Sequence, residues 1–206
     1  MPETIEKATE TLILDAAMKI FTQRGFAAAR TEEIAKEAGI NRALLHYYFR
    51  DKQTMFNIIF ETRFKEFFGG IFNIFGSDNN LLDKIRLLIE HEINTFIAHP
   101  DLARFIIAEV ANHPERLIEY GKKLGINPRV FLENFERQVK QEVESGTIKS
   151  IHGRQLIMNI MSLCIYPFVA RPIISTMMQL DNQAFDQMME ARKKEVHQFI
   201  MNALIP

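Results

Sequence analysis

Apolar residues in this chain recur at the three- and four-residue spacing of an α-helix along almost the whole sequence. No segment shows the sustained alternation of apolar and polar residues that a half-buried β-strand needs. Of the 206 residues, 47% are hydrophobic and 25% are charged, so the chain can bury a sizeable core and does not have the composition of a disordered protein. The pattern predicts an all-α fold.

Two short predicted helices in the first quarter of the chain have the spacing of a helix-turn-helix. Thr31 and Asn41 are their predicted N-caps. Gly39 ends the first of the two and lets the chain turn tightly before the second. A preceding helix over about residues 9–24 completes a unit of three helices, and Asp51 caps a fourth helix that is predicted to end near Phe68.

The second short helix has one apolar face and one polar face. Leu45 and Phe49 lie four residues apart and are predicted to point into the core, whereas Arg42 and His46 share a different face. A guanidinium, an imidazole and a phenol on the exposed side suit the major groove of DNA, where side chains meet base edges and phosphates. Each of these residues alone is more often solvated surface, but the caps, the turn and the two faces agree in register. We therefore predict contact with DNA.

The segment TEEIAKEAGINRALLHYYFRDKQTMFNIIF, residues 31–60, resembles the DNA-binding domain of TetR-family transcriptional regulators. The family pattern falls here on Thr31, Ile34, Ala35, Ala38, Gly39, Ile40, Asn41, Leu45, His46, Tyr47, Tyr48, Phe49, Lys52 and Met55. The resemblance implies a three-helix DNA-binding domain with a helix-turn-helix at residues 1–52. It also implies a larger helical ligand-binding and dimerisation bundle at residues 53–206, with a helix at residues 53–68 connecting the two.

Two groups of DNA contacts follow from the resemblance, position by position. The expected phosphate contacts are Thr31, Tyr47, Tyr48 and Lys52. The expected base-edge contacts are Arg42, Ala43, Leu44 and His46. Ala43 stands where the family usually has glycine, and His46 where it usually has tyrosine, so the preferred DNA sequence should be individual to this chain.

The residues after Gly70 form longer periodic segments with sparse turn signals. Helices are predicted at residues 80–98, 101–112, 114–122, 128–144, 152–178 and 182–203, and Pro167 and Pro172 should kink the penultimate one. The last two helices carry broad apolar stripes, which on periodicity alone are ordinary core. The resemblance implies instead that they form a homodimer through a four-helix bundle shared by two copies.

Phenylalanine is unusually common, with 17 residues against four tyrosines and no tryptophan, which favours an apolar interior or pocket. For any one aromatic candidate, ordinary core packing is the commoner role than lining a pocket, and for the one carboxylate a place on the surface is. The candidates are Phe72, Phe96, Phe105, Glu109, Phe131, Phe135 and Tyr166. No metal-ligand spacing, phosphate-binding loop or nucleophile elbow occurs, so we expect no cofactor, no metal and no enzyme activity.

The single cysteine, Cys164, excludes an internal disulfide and suggests a reducing compartment, the cytoplasm. The apolar stretch at residues 156–174 is interrupted by Asn159, Arg171 and two prolines, so we expect a buried helix and no membrane span.

The expected function is that of a homodimeric, sequence-specific transcriptional regulator. In this reading it is a repressor that binds a palindromic double-stranded DNA operator and is released by a small, largely apolar effector. The residues leave open an all-α carrier of apolar ligands and a ligand-free nucleoid protein. The net charge of −1 means that any basic surface for DNA must be local.

Overall fold

The structure is a computed structural model that describes residues 2–125 and 127–206, with side chains from residue 6 onward in those ranges. It consists of helices, with no strand in the described ranges, which confirms the all-α prediction. The helices are α1 (Pro2–Ala28), α2 (Thr31–Glu37), α3 (Arg42–Tyr48), α4 (Lys52–Gly76), α5 (Leu81–Ala98), α6 (Leu102–Asn112), α7 (Glu115–Lys123), α8 (Pro128–Glu144), α9 (Gly153–Val169), α10 (Arg171–Met178) and α11 (Asn182–Leu204). Backbone packing divides the chain into two compact units, Met1–Phe64 and Lys65–Pro206.

The first unit contains α1, α2, α3 and the first half of α4. Its core takes buried apolar side chains from every one of these helices: Ile13, Ala17, Phe21, Ile34, Ala35, Leu45, Phe49, Met55, Phe56, Ile59 and Phe60. The sequence predicts a domain boundary after residue 52, but the boundary lies after Phe64. The reason is that the first three turns of α4 bury their apolar face in the same core as the helix-turn-helix.

Helix α4 continues to Gly76, whereas the sequence pattern predicts an end near Phe68. Gly70 lies within the helix at a place where α4 comes very close to His91 of α5. A Cβ atom at position 70 would lie 2.1 Å from Cε1 of the His91 ring, and Nε2 of that ring is 2.9 Å from the carbonyl oxygen of Phe67. Gly70 therefore serves this close packing and does not end the helix.

Helix α5 is the central element of the second unit and packs against α8, α9 and α11. It buries six apolar side chains, Leu81, Ile85, Leu88, Ile89, Ile93 and Phe96, and one carboxyl group, that of Glu92. Neither carboxyl oxygen of Glu92 has a hydrogen-bond partner of ordinary geometry among the described residues. Burial raises the pKa of Glu92 to about 8, and the nearby Cys164 thiol of α9 opposes that rise weakly. Burial, together with Glu92, raises the pKa of Cys164.

The single helix predicted at residues 152–178 is two helices, α9 and α10, which meet at Ala170 with a bend of 69°. Pro172 has no N–H to donate to the carbonyl of Phe168 one turn earlier, so this helical hydrogen bond is missing where the two helices meet. Pro167 lies inside α9 without breaking it. The carbonyl that Pro167 leaves unpaired, that of Leu163, accepts a hydrogen bond from Nε of Arg192 on α11 at 3.0 Å.

No single helix in the described ranges is long and apolar enough to cross a membrane. The bent pair α9 and α10 passes that test only when the two helices are taken together, on length and composition alone.

Candidate nucleic-acid interface

A tight turn at Gly39 joins α2 to α3. The Ile40 N–H donates to the Ala35 carbonyl at 3.0 Å, and the Gly39 N–H donates to the Lys36 carbonyl at 3.1 Å. This pair of bonds is a Schellman motif, which requires a left-handed residue after the helix end. Gly39 supplies it with φ at 67°, a value that strains any residue with a Cβ. The turn confirms the predicted helix-turn-helix.

Both short helices are capped, but only α3 is capped as predicted. Oδ1 of Asn41 accepts a hydrogen bond from the Leu44 N–H at 2.8 Å. In α2, Thr31 is the first helical residue, and the N-cap position belongs to Arg30. The Arg30 backbone N–H donates to Oε2 of Glu33 at 3.3 Å, so the side-chain contact at the start of α2 is made by the glutamate at the third helical position and not by Thr31.

Helix α3 turns a polar face away from the core. Leu45 and Phe49 are 0% and 2% exposed, which confirms the predicted core pair. Five of the residues that the sequence predicts to contact DNA are exposed on α3: Arg42, Ala43, Leu44, His46 and Tyr47. Tyr48 is half-buried, with its ring edge-on to that of Tyr47 at a centroid distance of 5.3 Å.

Arg42 is held by two neighbours on this face. Its Nη1 atom lies 2.8 Å from Oε1 of Glu32 on α2, and its Nε donates to Nε2 of His46 at 3.3 Å. The pKa of Glu32 is held below its ordinary value by a hydrogen bond from the Glu32 backbone N–H and by the charge of Arg42. The two candidate base-reading side chains are thus oriented together. Glu32 is an anion beside the guanidinium, with which a nucleic acid would have to compete.

Lys52 is predicted to contact phosphate, but its ammonium group is hydrogen-bonded within the first unit. Its Nζ donates to the carbonyl oxygens of Phe26, Ala27 and Ala29 at 2.9, 3.1 and 3.1 Å, which uses all three donors of the ammonium group. The same atom lies 4.7 Å from the centroid of the Phe26 ring. Lys52 therefore ties the start of α4 to the end of α1.

Arg50 is the cation near α3 that the sequence reading missed. Its side chain is exposed and makes no hydrogen bond or ion pair with the described residues. The sequence feature that could have pointed to Arg50 is its position directly after Phe49, the last core residue of the motif. Arg50 thus directly follows the C-cap residue of α3.

Comparison with known proteins identifies the family. Residues 13–59 match the family model for bacterial regulatory proteins of the tetR family, and residues 82–200 match the model for the tetracyclin repressor-like C-terminal domain. The chain belongs to the TetR family. The TetR-family match includes both the helix-turn-helix and most of the second unit.

Relatives in this family share short stretches of sequence. The HTH-type transcriptional regulator AcrR of Shigella flexneri is 39% identical over 61 residues, which is 29% of this chain and 28% of that protein. The HTH-type transcriptional repressor SCO4008 of Streptomyces coelicolor is 28% identical over 127 residues, 58% of this chain and 62% of that protein. The aligned parts thus span less than two thirds of these relatives.

A solved structure extends the likeness in fold over nearly the whole chain. The ketosteroid transcriptional regulator KstR2 of Mycobacterium tuberculosis superposes with a TM-score of 0.71 and 15% sequence identity, covering 96% of this chain and 95% of that one. The fatty acid degradation regulator FadR of Bacillus halodurans gives a TM-score of 0.59 at 19% identity, with 93% of each chain covered. At these identities the likeness is one of fold alone.

Four of the seven residues predicted to line a ligand pocket line one of two cavities in the second unit. The larger, of about 480 Å³, is lined in part by Phe72, Phe131 and Phe135. The smaller, of about 180 Å³, is lined by apolar side chains that include Phe96. The other three predicted residues line neither cavity: Phe105 is buried in the core, Glu109 is ion-paired with Arg116, and Tyr166 is 63% exposed.

No group of three or more histidine, cysteine, aspartate or glutamate side chains in the described ranges is placed to hold a metal ion.

Proposed function

We propose that this TetR-family protein is a homodimeric transcriptional repressor, acting in the cytoplasm, that binds a palindromic double-stranded DNA operator and releases it on binding a small molecule. The exposed face of α3 carries the proposal. Arg42 and His46 lie one turn apart on that face and are hydrogen-bonded to each other. The opposite side of the helix is anchored by Leu45 and Phe49. A rigid helix with an exposed polar face is what the major groove accommodates.

Base reading is assigned to the first turns of α3. Arg42 suits the O6 and N7 atoms of guanine, and Ala43 or Leu44 suits a thymine methyl group. His46, with a smaller ring than the family's usual tyrosine, adds a contact individual to this chain. Phosphate contacts are assigned to Thr31 at the start of α2, to Tyr47 and Tyr48, and to Arg50 in place of Lys52. All these residues lie in the first unit.

Exposed apolar side chains on α9 and α11 support dimerisation of the second unit. Met158 and Tyr166 of α9 are 54% and 63% exposed, and Phe199 of α11 is 64% exposed. Met158 and Tyr166 lie eight residues apart, so they share one face of the helix. A second copy would cover these side chains through an isologous interface, giving a four-helix bundle of two α9 and two α11 helices.

Helix α4 offers a route from effector to operator. It begins in the first unit, and its last two turns contribute Phe72 and Phe75 to the larger cavity of the second unit. An effector that favours one position of this end of α4 would shift the dimer between two geometries, only one of which matches operator spacing. Among the relatives, SCO4008 is named as a repressor, which supports repression over activation. A carrier function has no such support.

Selection of bound fragments from random double-stranded DNA tests the proposal. We expect a palindromic consensus whose half-sites are separated by one helical turn, roughly 34–36 Å, or a multiple of that. Arg42→Ala should relax the preference at one symmetric pair of positions, because a bidentate arginine–guanine contact is worth about 1–3 kcal/mol of discrimination. Lys140→Ala, on the exposed surface of α8, is the control and should return the wild-type consensus.

Two results would contradict the proposal at different levels. If the wild-type protein enriches no sequence, it is not a sequence-specific regulator. If Arg42→Ala returns the wild-type consensus, the protein reads DNA, but not through this face of α3.

A further inference from the structure

The lining of the larger cavity of the second unit includes a buried lysine. Lys84 of α5 is 7% exposed and lines this cavity. Its Nζ donates to the carbonyl oxygen of Phe75 at 3.1 Å and lies 3.4 Å from Oε1 of Gln138. An ammonium group has three N–H donors, so one donor has no acceptor among the described residues. No carboxylate in the described ranges pairs with its charge.

Helix capping explains only part of this arrangement. Phe75 lies in the last turn of α4, where the helix dipole favours a nearby cation. That interaction satisfies one donor, and a lysine reaching in from solvent could make it without being buried. Burying a positive charge is unfavourable unless an anion or several dipoles compensate it. The position of Lys84 is therefore explained better by a negatively charged group that enters the cavity.

Four phenylalanine side chains form most of the apolar part of the cavity lining. The ring of Phe131 lies edge-on to those of Phe72 and Phe75, at centroid distances of 5.3 and 5.0 Å, and Phe75 lies edge-on to Phe135 at 5.2 Å. Asn127, and Asn134 one turn before Gln138 on α8, add two further side-chain amides to the lining. The volume of about 480 Å³ is within the range usual for small-molecule sites, roughly 300–1,000 Å³. The cavity thus joins one buried cation to a large apolar wall.

We propose that this cavity binds an organic monocarboxylate, with the carboxylate on Lys84 and Gln138 and the apolar body against the phenylalanine rings. One positive charge matches one negative charge, whereas a phosphate dianion would leave a second charge buried and unpaired. The smaller cavity is lined by apolar side chains and offers no such partner. The inference deepens the proposed function, because this ligand would be the effector, but its binding can be measured without DNA.

Titration calorimetry on the full-length protein tests the site with matched probes. The probes are decanoate against decanamide, and phenylbutyrate against phenylbutyramide, with phenyl phosphate as the alternative anion. We expect each carboxylate to bind about tenfold or more tightly than its amide, because only the carboxylate makes a charge-assisted hydrogen bond to Lys84. Phenyl phosphate should bind more weakly than phenylbutyrate.

Variants then assign the preference to Lys84. Lys84→Met, similar in length but uncharged, should bring the affinity ratio of acid to amide close to one. Lys84→Arg should keep the preference for the acid. Lys140→Met makes the same change at an exposed lysine of α8 and should behave as wild type. The wild-type comparison of acid with amide needs no variant, so it decides the matter even if Lys84→Met fails to fold.

Several results would overturn the inference. These are no binding of either carboxylate to folded wild-type protein, equal binding of acid and amide, tighter binding of phenyl phosphate, or an unchanged preference in folded Lys84→Met. Gel-shift assays on the same samples keep the two proposals apart. A protein that binds carboxylates through Lys84 but no DNA keeps this site and refutes the repressor, whereas the reverse result refutes only the site.

Discussion

Arg50 and Lys52 are neighbouring cations with opposite surroundings. Lys52 donates all three hydrogens to backbone carbonyls, whereas Arg50 is exposed and makes no hydrogen bond or ion pair in the described ranges; the charge of its neighbour Asp51 acts on it. We expect Lys52→Met to lower the free energy of unfolding by about 1–3 kcal/mol and to leave the salt dependence of DNA binding unchanged. Arg50→Ala should leave stability unchanged and flatten the slope of log K against log salt by about 0.9 per phosphate, or about 1.8 in a dimer.

Urea unfolding and DNA binding at several salt concentrations measure the two effects separately. A flatter slope in Lys52→Met with an unchanged slope in Arg50→Ala would return the phosphate contact to Lys52.

The buried carboxyl of Glu92 makes stability depend on pH. Its pKa is raised from 4.5 to about 8 in the folded chain, so between these values the native state holds a proton that the unfolded state releases. Stability therefore falls as pH rises through this window and stays reduced above it. Glu92→Gln removes the titration, and we expect its stability relative to wild type to rise by about 4 kcal/mol across the window.

The measurement is the free energy of unfolding of both proteins from about pH 4.5 to about pH 8. Parallel curves for wild type and Glu92→Gln would show that Glu92 does not titrate there.

At the scale of the helix, α9 tolerates Pro167 because Arg192 of α11 satisfies the Leu163 carbonyl. Arg192→Met leaves that carbonyl unpaired, and we expect a loss of about 1–3 kcal/mol in unfolding free energy. Pro167→Ala restores an N–H one turn after Leu163, so in that background Arg192→Met should cost less. Chemical denaturation of the four proteins gives the coupling energy, expected to be about 0.5–2 kcal/mol. Additive losses would mean that Arg192 stabilises α9 in some other way.

The two faces of α3 are distinguished by adjacent leucines. Leu45 is 0% exposed and Leu44 is 37% exposed. Leu45→Ala should cost about 2–5 kcal/mol of stability, because it leaves a cavity beneath the helix. Leu44→Ala should change stability by less than about 1 kcal/mol and weaken operator binding. Thermal unfolding and gel-shift assays measure the two, and the opposite pattern would mean that the faces of α3 are reversed.

The features that the sequence predicted are those set by near neighbours. Asn41 and Asp51 cap their helices with hydrogen bonds to residues three positions later, and the Gly39 turn closes within five residues. The role of Lys52 could not be predicted in this way, because its acceptors lie 23 to 26 residues earlier.

The cavity depends on the same kind of distant contact. Nothing in the sequence distinguishes Lys84 from a surface lysine, because its partner Gln138 on α8 lies 54 residues away in the chain. The two prolines predicted a distortion near the end of α9, but the hydrogen bond that satisfies the Leu163 carbonyl beside Pro167 comes from Arg192, 29 residues away, and could not be predicted.

At the scale of the whole molecule, the proposed dimer places Phe199 of α11 in an interface. Phe199→Glu should convert the dimer to a monomer in sedimentation experiments and abolish cooperative binding to a palindrome, because it buries a charge without a partner. Leu12→Glu is the control, since Leu12 is 50% exposed in the first unit and should leave the dimer intact. A Phe199→Glu protein that remained dimeric would place the interface elsewhere.

The reaction of Cys164 with a thiol reagent can report local opening of the second unit. It is the only cysteine, it is 0% exposed, and its pKa is raised, so a thiol reagent in solution meets no reactive sulfur in the closed protein. Each modification event must therefore wait for the packing around Cys164 to open locally. The rate of labelling by a coloured disulfide reagent, followed in a spectrophotometer, thus times that opening in unmodified protein. Any molecule that occupies the second unit in its closed form will register as a slower colour change.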